Sequence, residues 1–242
     1  METMKRAIIV AAGEGRRLRP LTEQIPKPLV KVHGTRLIDT SIQALRRNGI
    51  HEIYIVVGHL KEQFQEVYRD DPEITILENP NYLKGNNITS MYVARDYLPG
   101  AFVIEGDIDV RNPDVFRPEV EYSGYCATYM EEAPEWAIKL KDGFVESCVI
   151  SGGSDAYRLW GISMWTEADG KRLAELIRDQ IENKKDWSIY WDMIALDIER
   201  PQFHVGVRNI AADDLCEIDT LEELAAIDPV YESYLNRESA SA

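Results

Sequence analysis

The chain has 242 residues, 27 basic and 42 acidic, with a formal net charge of -15 and 45% hydrophobic residues. The apolar share supports a substantial core and excludes a disordered chain, while the acidic excess excludes general affinity for nucleic acid, whose phosphates would be repelled. No apolar stretch approaches the roughly 18 residues that span a bilayer, and the amino terminus lacks the form of a signal peptide, so a cytoplasmic protein without membrane insertion is expected.

Residues 6–12 are a short β-branched run that predicts a buried parallel strand. Within 36–48, Leu37, Ile38, Ile42 and Leu45 recur at helical spacing, and Gly49 marks the stop. Residues 52–57 predict a second strand ending at Gly58-His59, 61–70 a second helix, and 74–77 a third strand before the turn Asn79-Pro80-Asn81. Helix is expected again over 89–98, and 101–105 reads as a strand running into Gly106-Asp107. This alternation implies right-handed crossovers and an α/β fold, with a mostly parallel, Rossmann-like central sheet and helices on both faces.

After Asp109 the rhythm changes. Residues 122–130, 137–141, 144–150 and 159–166 are strand-like and joined by short polar turns, which predicts a smaller inserted β-rich region. Helices are expected over 167–182 and 188–199, and a strand over 203–207. A closing helix is expected over 220–227, where Thr220 and Glu223 have capping-box spacing. No linker, repeat or low-complexity run divides the chain. One domain is expected over 1–242, with halves of about 1–110 and 111–235 and a fraying tail at 236–242. Cys126, Cys148 and Cys216 have no metal-binding spacing and read as free thiols. His33, His51, His59 and His204 lack the matched partners of a triad or zinc site.

The segment after the first strand is the most informative. Ala11-Ala12-Gly13-Glu14-Gly15-Arg16-Arg17-Leu18-Arg19-Pro20-Leu21-Thr22 is closed by Pro26-Lys27-Pro28-Leu29. Glycine lets the backbone bend and approach a ligand so that N–H groups converge on an anion, and the cations supply the charge a polyphosphate needs. This reads as a nucleoside triphosphate site. The spacing is not that of a P-loop, and Leu18 stands where a dinucleotide fingerprint needs its third glycine. The string resembles the signature of the nucleotidyltransferase superfamily, with Arg16 in place of the usual Ser or Thr. The resemblance implies a nucleotide-diphospho-sugar transferase-like fold, with the first half binding nucleotide and the second the acceptor. It implies that Arg17 and Lys27 contact the triphosphate and stabilise transition-state charge, while the backbone of Ala11, Ala12, Gly13 and Gly15 faces phosphate. Arg16 and Arg19 are either electrostatic helpers or ordinary loop cations.

Nucleotidyl transfer requires an acceptor phosphate aligned behind the α-phosphorus and neutralisation of the charge that develops there. Magnesium held by one or two carboxylates, phosphate and water suits that task. Asp107 follows a buried strand and Asp192 lies in Tyr190-Trp191-Asp192. The resemblance assigns both to Mg²⁺, with Glu105 and Asp109 as candidate auxiliaries.

Asn86, Asn87 and Ser90 could donate and accept at the edge of a pyrimidine. Together with Glu135-Trp136, Tyr190-Trp191-Asp192 and Glu217-Ile218-Asp219, this segment resembles the bacterial CTP:phosphocholine cytidylyltransferases and their relatives that charge 2-aminoethylphosphonate. Such acceptors join an anion to a cation. Trp136, Tyr190 and Trp191 could wall the cation, with Glu217 or Asp219 supplying charge and Tyr129 and Trp160 as further candidates. Gly106-Asp107-Ile108-Asp109 replaces the Ala-Asp-Asn-aromatic stretch more usual in the phosphocholine enzymes, which leaves the acceptor open. The expectation is a Mg²⁺-dependent cytidylyltransferase that moves CMP from CTP to a small phospho- or phosphono-amine and releases pyrophosphate. The alternatives are a sugar-1-phosphate nucleotidyltransferase and a non-catalytic, nucleotide-binding regulatory module. Oligomeric state is not readable from the sequence.

Overall fold

Strand β1 (Arg6–Ala11) sends Ala7, Ile9 and Ala11 to one face of the sheet and Ile8 and Val10 to the other. Its neighbours β2 (Glu52–Val57) and β4 (Ala101–Glu105) alternate in the same way, so the centre of the sheet is apolar on both faces and needs helices on each. Helices α1 (Leu37–Arg47) and α2 (Lys61–Val67) cover one face through Ile38, Ile42, Leu45 and Phe64. Helices α3 (Ile88–Ala94) and α4 (Glu167–Glu182) cover the other through Ile88, Met91, Leu173 and Ile177. The structure, a computed structural model, describes residues 1–238.

The nine-stranded sheet has the order β6-β10-β8-β7-β9-β4-β1-β2-β3, where β3 is Ile74–Glu78, β6 Gly124–Ala133, β7 Ala137–Lys141, β8 Phe144–Val149, β9 Gly153–Trp165 and β10 Gly206–Asn209. It is parallel across β4-β1-β2-β3. From β9, which runs antiparallel to β4, it continues as a largely antiparallel extension. The carboxyl ends of β1 and β4 open onto one crevice, the usual ligand position in such sheets.

A separate ribbon matters more for the site. Strand β5 (Ile108–Val110) pairs antiparallel with β11 (Leu215–Glu217), and Ile108 lies opposite Glu217. This pairing brings the segment beside Asp107 against the segment that leads into Asp219. Helix α5 (Leu221–Ile227) follows with the expected capping box between Thr220 and Glu223, and α6 (Glu232–Glu238) ends the described chain.

Several boundaries differ from those expected. The helix expected over 188–199 is shortened to 192–198, with a π turn at Ile194–Ile198, because the backbone before it is engaged elsewhere: the Trp187 carbonyl accepts the Asn86 N–H and Asn87 accepts that of Trp191. The strand expected over 203–207 lies at Gly206–Asn209, and that expected over 159–166 begins at Gly153. Of the tail expected to fray, residues 236–238 complete α6, and 239–242 lie outside the described residues.

Candidate active site

The loop after β1 turns at Gly15, which has φ 59° and ψ 41°, in the left-handed region. A Cβ there would also meet the Lys27 Cβ at 2.9 Å and the Thr22 Cγ2 at 3.1 Å. Conformation and space therefore both require glycine. The turn wraps a cavity of about 450 Å³. Ala11, Ala12, Gly13, Gly15, Arg16, Arg17 and Lys27 line one side, and Asn86, Asn87 and Ser90 line another, with Asp107 and Glu105 at the floor. Every residue expected to bind nucleotide is thus gathered on one cavity.

A second cavity of about 220 Å³ adjoins it, sharing Val10, Arg17, Glu105 and Asp219. Its lining includes Trp136, Tyr190, Trp191, Glu217 and Asp219, the residues expected to hold the acceptor, together with Asp192, expected to hold Mg²⁺. Tyr129 and Trp160 do not line it; the Tyr129 hydroxyl donates to Asp155, and the Trp160 indole donates to Thr128. Asp109 is likewise apart, facing Arg111 at 3.4 Å.

The cations at the boundary are already paired. Lys27 Nζ donates to Asp107 Oδ2 at 2.7 Å and to Asp219 Oδ1 at 3.0 Å. Burial opposes the ammonium charge, yet Asp107 and Asp219 outweigh it and hold the Lys27 pKa above its ordinary value. Arg17 donates to the same Asp219 oxygen at 2.8 Å. Asp219 Oδ1 therefore holds both cations, and the residue lines both cavities. Arg16 and Arg19 both turn to Glu14, and the Arg16 hydrogen bond holds that carboxyl below its usual range.

Four carboxyl groups crowd the junction of the cavities. Burial, then the charges of Asp107, Asp192 and Glu217, push Glu105 well above the usual carboxylate range, which favours its protonated form. Burial pushes Asp192 up to about 7, against hydrogen bonds from Tyr125, backbone and Asn87. Glu217 is also pushed up to about 7, by burial first and then by Asp107 and Asp219, with Arg158 opposing. Asp107 Oδ1 is buried and has no hydrogen-bond partner. A free oxygen beside crowded carboxylates is the chemistry that accommodates a hard divalent cation. Among the described residues no preformed group of three or more His, Cys, Asp or Glu could hold a metal; the donor set fits an ion completed by phosphate oxygens and water.

In the second cavity, Trp136 and Tyr190 meet edge to face with ring centroids 5.2 Å apart. Trp136 adopts φ 42°, an uncommon conformation for a bulky residue and one that concentrates at functional sites. Trp191 is buried and packs on Tyr125 and Trp165, so it is a wall joined to the core. Arg158 is the residue that the sequence reading missed. It bridges Glu135 and Glu217, each at 2.9 Å, while its guanidinium lies 4.3 Å from the Trp160 ring centroid. Alternation along β9 places it with Trp160, but its acidic partners come from distant segments that no local pattern connects.

Residues 6–114 match the family model described as nucleotidyl transferase. The chain is 35% identical over 228 residues to a 2-aminoethylphosphonate cytidylyltransferase of Lancefieldella rimae, covering 93% of this chain and 92% of that one. It is 30% identical over 226 residues to a choline-phosphate cytidylyltransferase of Streptococcus pneumoniae, covering 93% and 97%. The solved CTP:phosphocholine cytidylyltransferase of Streptococcus pneumoniae superposes with a TM-score of 0.85 at 30% identity, over 94% of this chain and 99% of that one. Among the described residues no helix is long and apolar enough to cross a membrane. The sequence similarity spans both the glycine loop and the β-rich extension that carries the acceptor-side aromatics, and on that ground the chain belongs to the nucleotidyl transferase family, in its cytidylyltransferase group.

Proposed function

We propose that this protein transfers CMP from CTP to a small zwitterionic phospho- or phosphono-amine, with release of pyrophosphate and dependence on Mg²⁺. The observation that carries the reading is the junction of two cavities, one where the Arg17 and Lys27 cations stand beside the glycine loop and an acidic, aromatic one beyond Glu105. An acceptor with an anion at one end and a cation at the other fits that polarity. The names of the relatives support the same chemistry.

CTP lies with its triphosphate along residues 11–17, where Arg17 and Lys27 bind the phosphates. An oxygen of the acceptor's phosphate or phosphonate attacks the α-phosphorus; that P–O bond forms as the bond to the β-phosphate breaks, and pyrophosphate carries away the electron pair. The acceptor is already an anion, so no covalent nucleophile or strong base is required of the protein. Asp107 and Asp192 would hold Mg²⁺, which supplies charge neutralisation at the phosphates when bound. Lys27 stabilises developing negative charge from a dry position.

For the cation, a primary ammonium is the favoured partner, because Glu135 and Glu217 present carboxylate oxygens near the Trp136–Tyr190 corner and an ammonium donates to such oxygens. Phosphocholine is the second reading, supported by the same aromatic corner, which suits a quaternary ammonium. CTP supply makes the cytoplasm the proposed location. Pyrophosphate release with CTP, Mg²⁺ and 2-aminoethylphosphonate, phosphoethanolamine or phosphocholine tests the proposal. The expected order of kcat/KM has a primary amine first; no release with any of the three sinks it.

A further inference from the structure

Asn87 immediately precedes helix α3, where an asparagine side chain ordinarily accepts an N–H from the first helical turn. Here that cap is forgone, and the side chain makes no bond to its own helix. The Asn87 carbonyl alone receives the N–H groups of Ser90 and Met91, at 3.0 and 3.2 Å. The carboxamide instead reaches across to the acceptor side. Its Oδ1 accepts the backbone N–H of Trp191 at 3.1 Å, from a residue 104 positions away in sequence. The same side chain also lies near the buried carboxyl of Asp192, whose charged form it favours against burial. An amide has an acceptor at one end and a donor at the other, and here the acceptor end is the one given to the Trp191 backbone. Adjacent bonds run the same way: Asn86 donates from its backbone to Trp187 at 2.7 Å and from its side chain to Ser188 at 3.3 Å.

We infer that Asn87 is a positioning residue, which holds Trp191 and Asp192 in place from across the cleft, and not a reader of the nucleotide base. A base reader must present an unengaged acceptor as well as a donor to the cavity, whereas the oxygen of this carboxamide is given to the Trp191 backbone. The nucleotide loop and the acceptor pocket are thereby one interlocked unit. The effect on turnover rests on the cytidylyltransferase reading; the structural part does not.

Two substitutions separate the contacts. Asn87→Ala removes both, and no helix cap is lost with them. Asn87→Asp keeps an acceptor for the Trp191 N–H but sets a second carboxylate against Asp192. Hydrogen exchange of the Trp191 amide, followed by NMR without nucleotide, is expected to accelerate about tenfold or more in Asn87→Ala and to stay near wild type in Asn87→Asp. Both variants are expected to lose about tenfold or more in kcat, with the preference for CTP over UTP within about threefold of wild type. Unchanged Trp191 exchange in Asn87→Ala overturns the inference. So does a CTP preference that collapses in Asn87→Ala while kcat is retained, which is the behaviour of a base reader. A wild-type enzyme inactive on every acceptor would instead refute the proposed reaction, and the Trp191 exchange would still decide the role of Asn87.

Discussion

Lys27 donates to Asp107 across 2.7 Å, joining the glycine loop to a strand-end carboxylate 80 residues away. The Lys27 side chain is only 7% exposed, so the pair stands in a medium that screens charge poorly. Phosphate arriving at Lys27 would compete for the ammonium and free Asp107 Oδ2, which couples nucleotide binding to the availability of that carboxylate. Lys27→Met is expected to lower kcat/KM by about 10²- to 10³-fold, the scale of losing one preorganised charge donor. Steady-state kinetics checks this; activity within about threefold of wild type would remove Lys27 from the mechanism.

Gly15→Ala forces a side chain into the left-handed region and against Lys27 and Thr22. A loss of about 1–3 kcal/mol in unfolding free energy is expected, with weaker CTP binding. Urea unfolding and calorimetric titration with CTP measure the two effects. Unaltered stability would mean that the loop relaxes without strain.

Glu217 yields a pH dependence of defined sign. Its carboxyl, ordinarily near 4.5, is pushed up to about 7. The folded chain therefore holds that proton more tightly than the unfolded chain. Its contribution to stability is fully present below the unfolded value and is lost as pH rises through about 7. Glu217→Gln is expected to flatten the fall in stability between pH 5 and pH 8, as followed by urea unfolding at about those two pH values. In kinetics, KM for a cationic acceptor is expected to rise below about pH 7 in the wild type, as Glu217 becomes neutral, and to lose that limb in the variant. Parallel pH profiles for both proteins would separate Glu217 from acceptor binding.

Trp136→Ala removes one wall of the aromatic corner, away from the nucleotide cavity. KM for the acceptor is expected to rise by about tenfold or more while KM for CTP changes little. Equal changes in both constants would show that Trp136 supports the fold and not the acceptor.

The sequence made the first half legible because its elements are local. Residues 52–57 and 101–105 appear as strands with those bounds, and the capping box at Thr220 and Glu223 forms. Glycines and cations within one loop likewise pointed to the cavity that this loop lines. What stayed hidden depends on contacts between distant segments. The β5–β11 ribbon is two short strands that have meaning only when paired. Asp219 reads in sequence as an acceptor-side carboxylate; that it lines both cavities and holds Arg17 and Lys27 depends on contacts made only in the fold. Arg158 gains its role only when β9 meets Glu135 and Glu217. Asn87 has the residue type and position of an ordinary helix cap, and only the fold reveals that its carboxamide serves Trp191.

Phosphorus NMR of purified protein incubated with CTP, Mg²⁺ and 2-aminoethylphosphonate tests the central claim most directly. The expected spectrum gains pyrophosphate and a coupled phosphate–phosphonate pair from CMP joined to the phosphonate, and neither forms with Asp107→Asn. Intact CTP and free phosphonate in the wild-type reaction, repeated with phosphoethanolamine and phosphocholine, would contradict it.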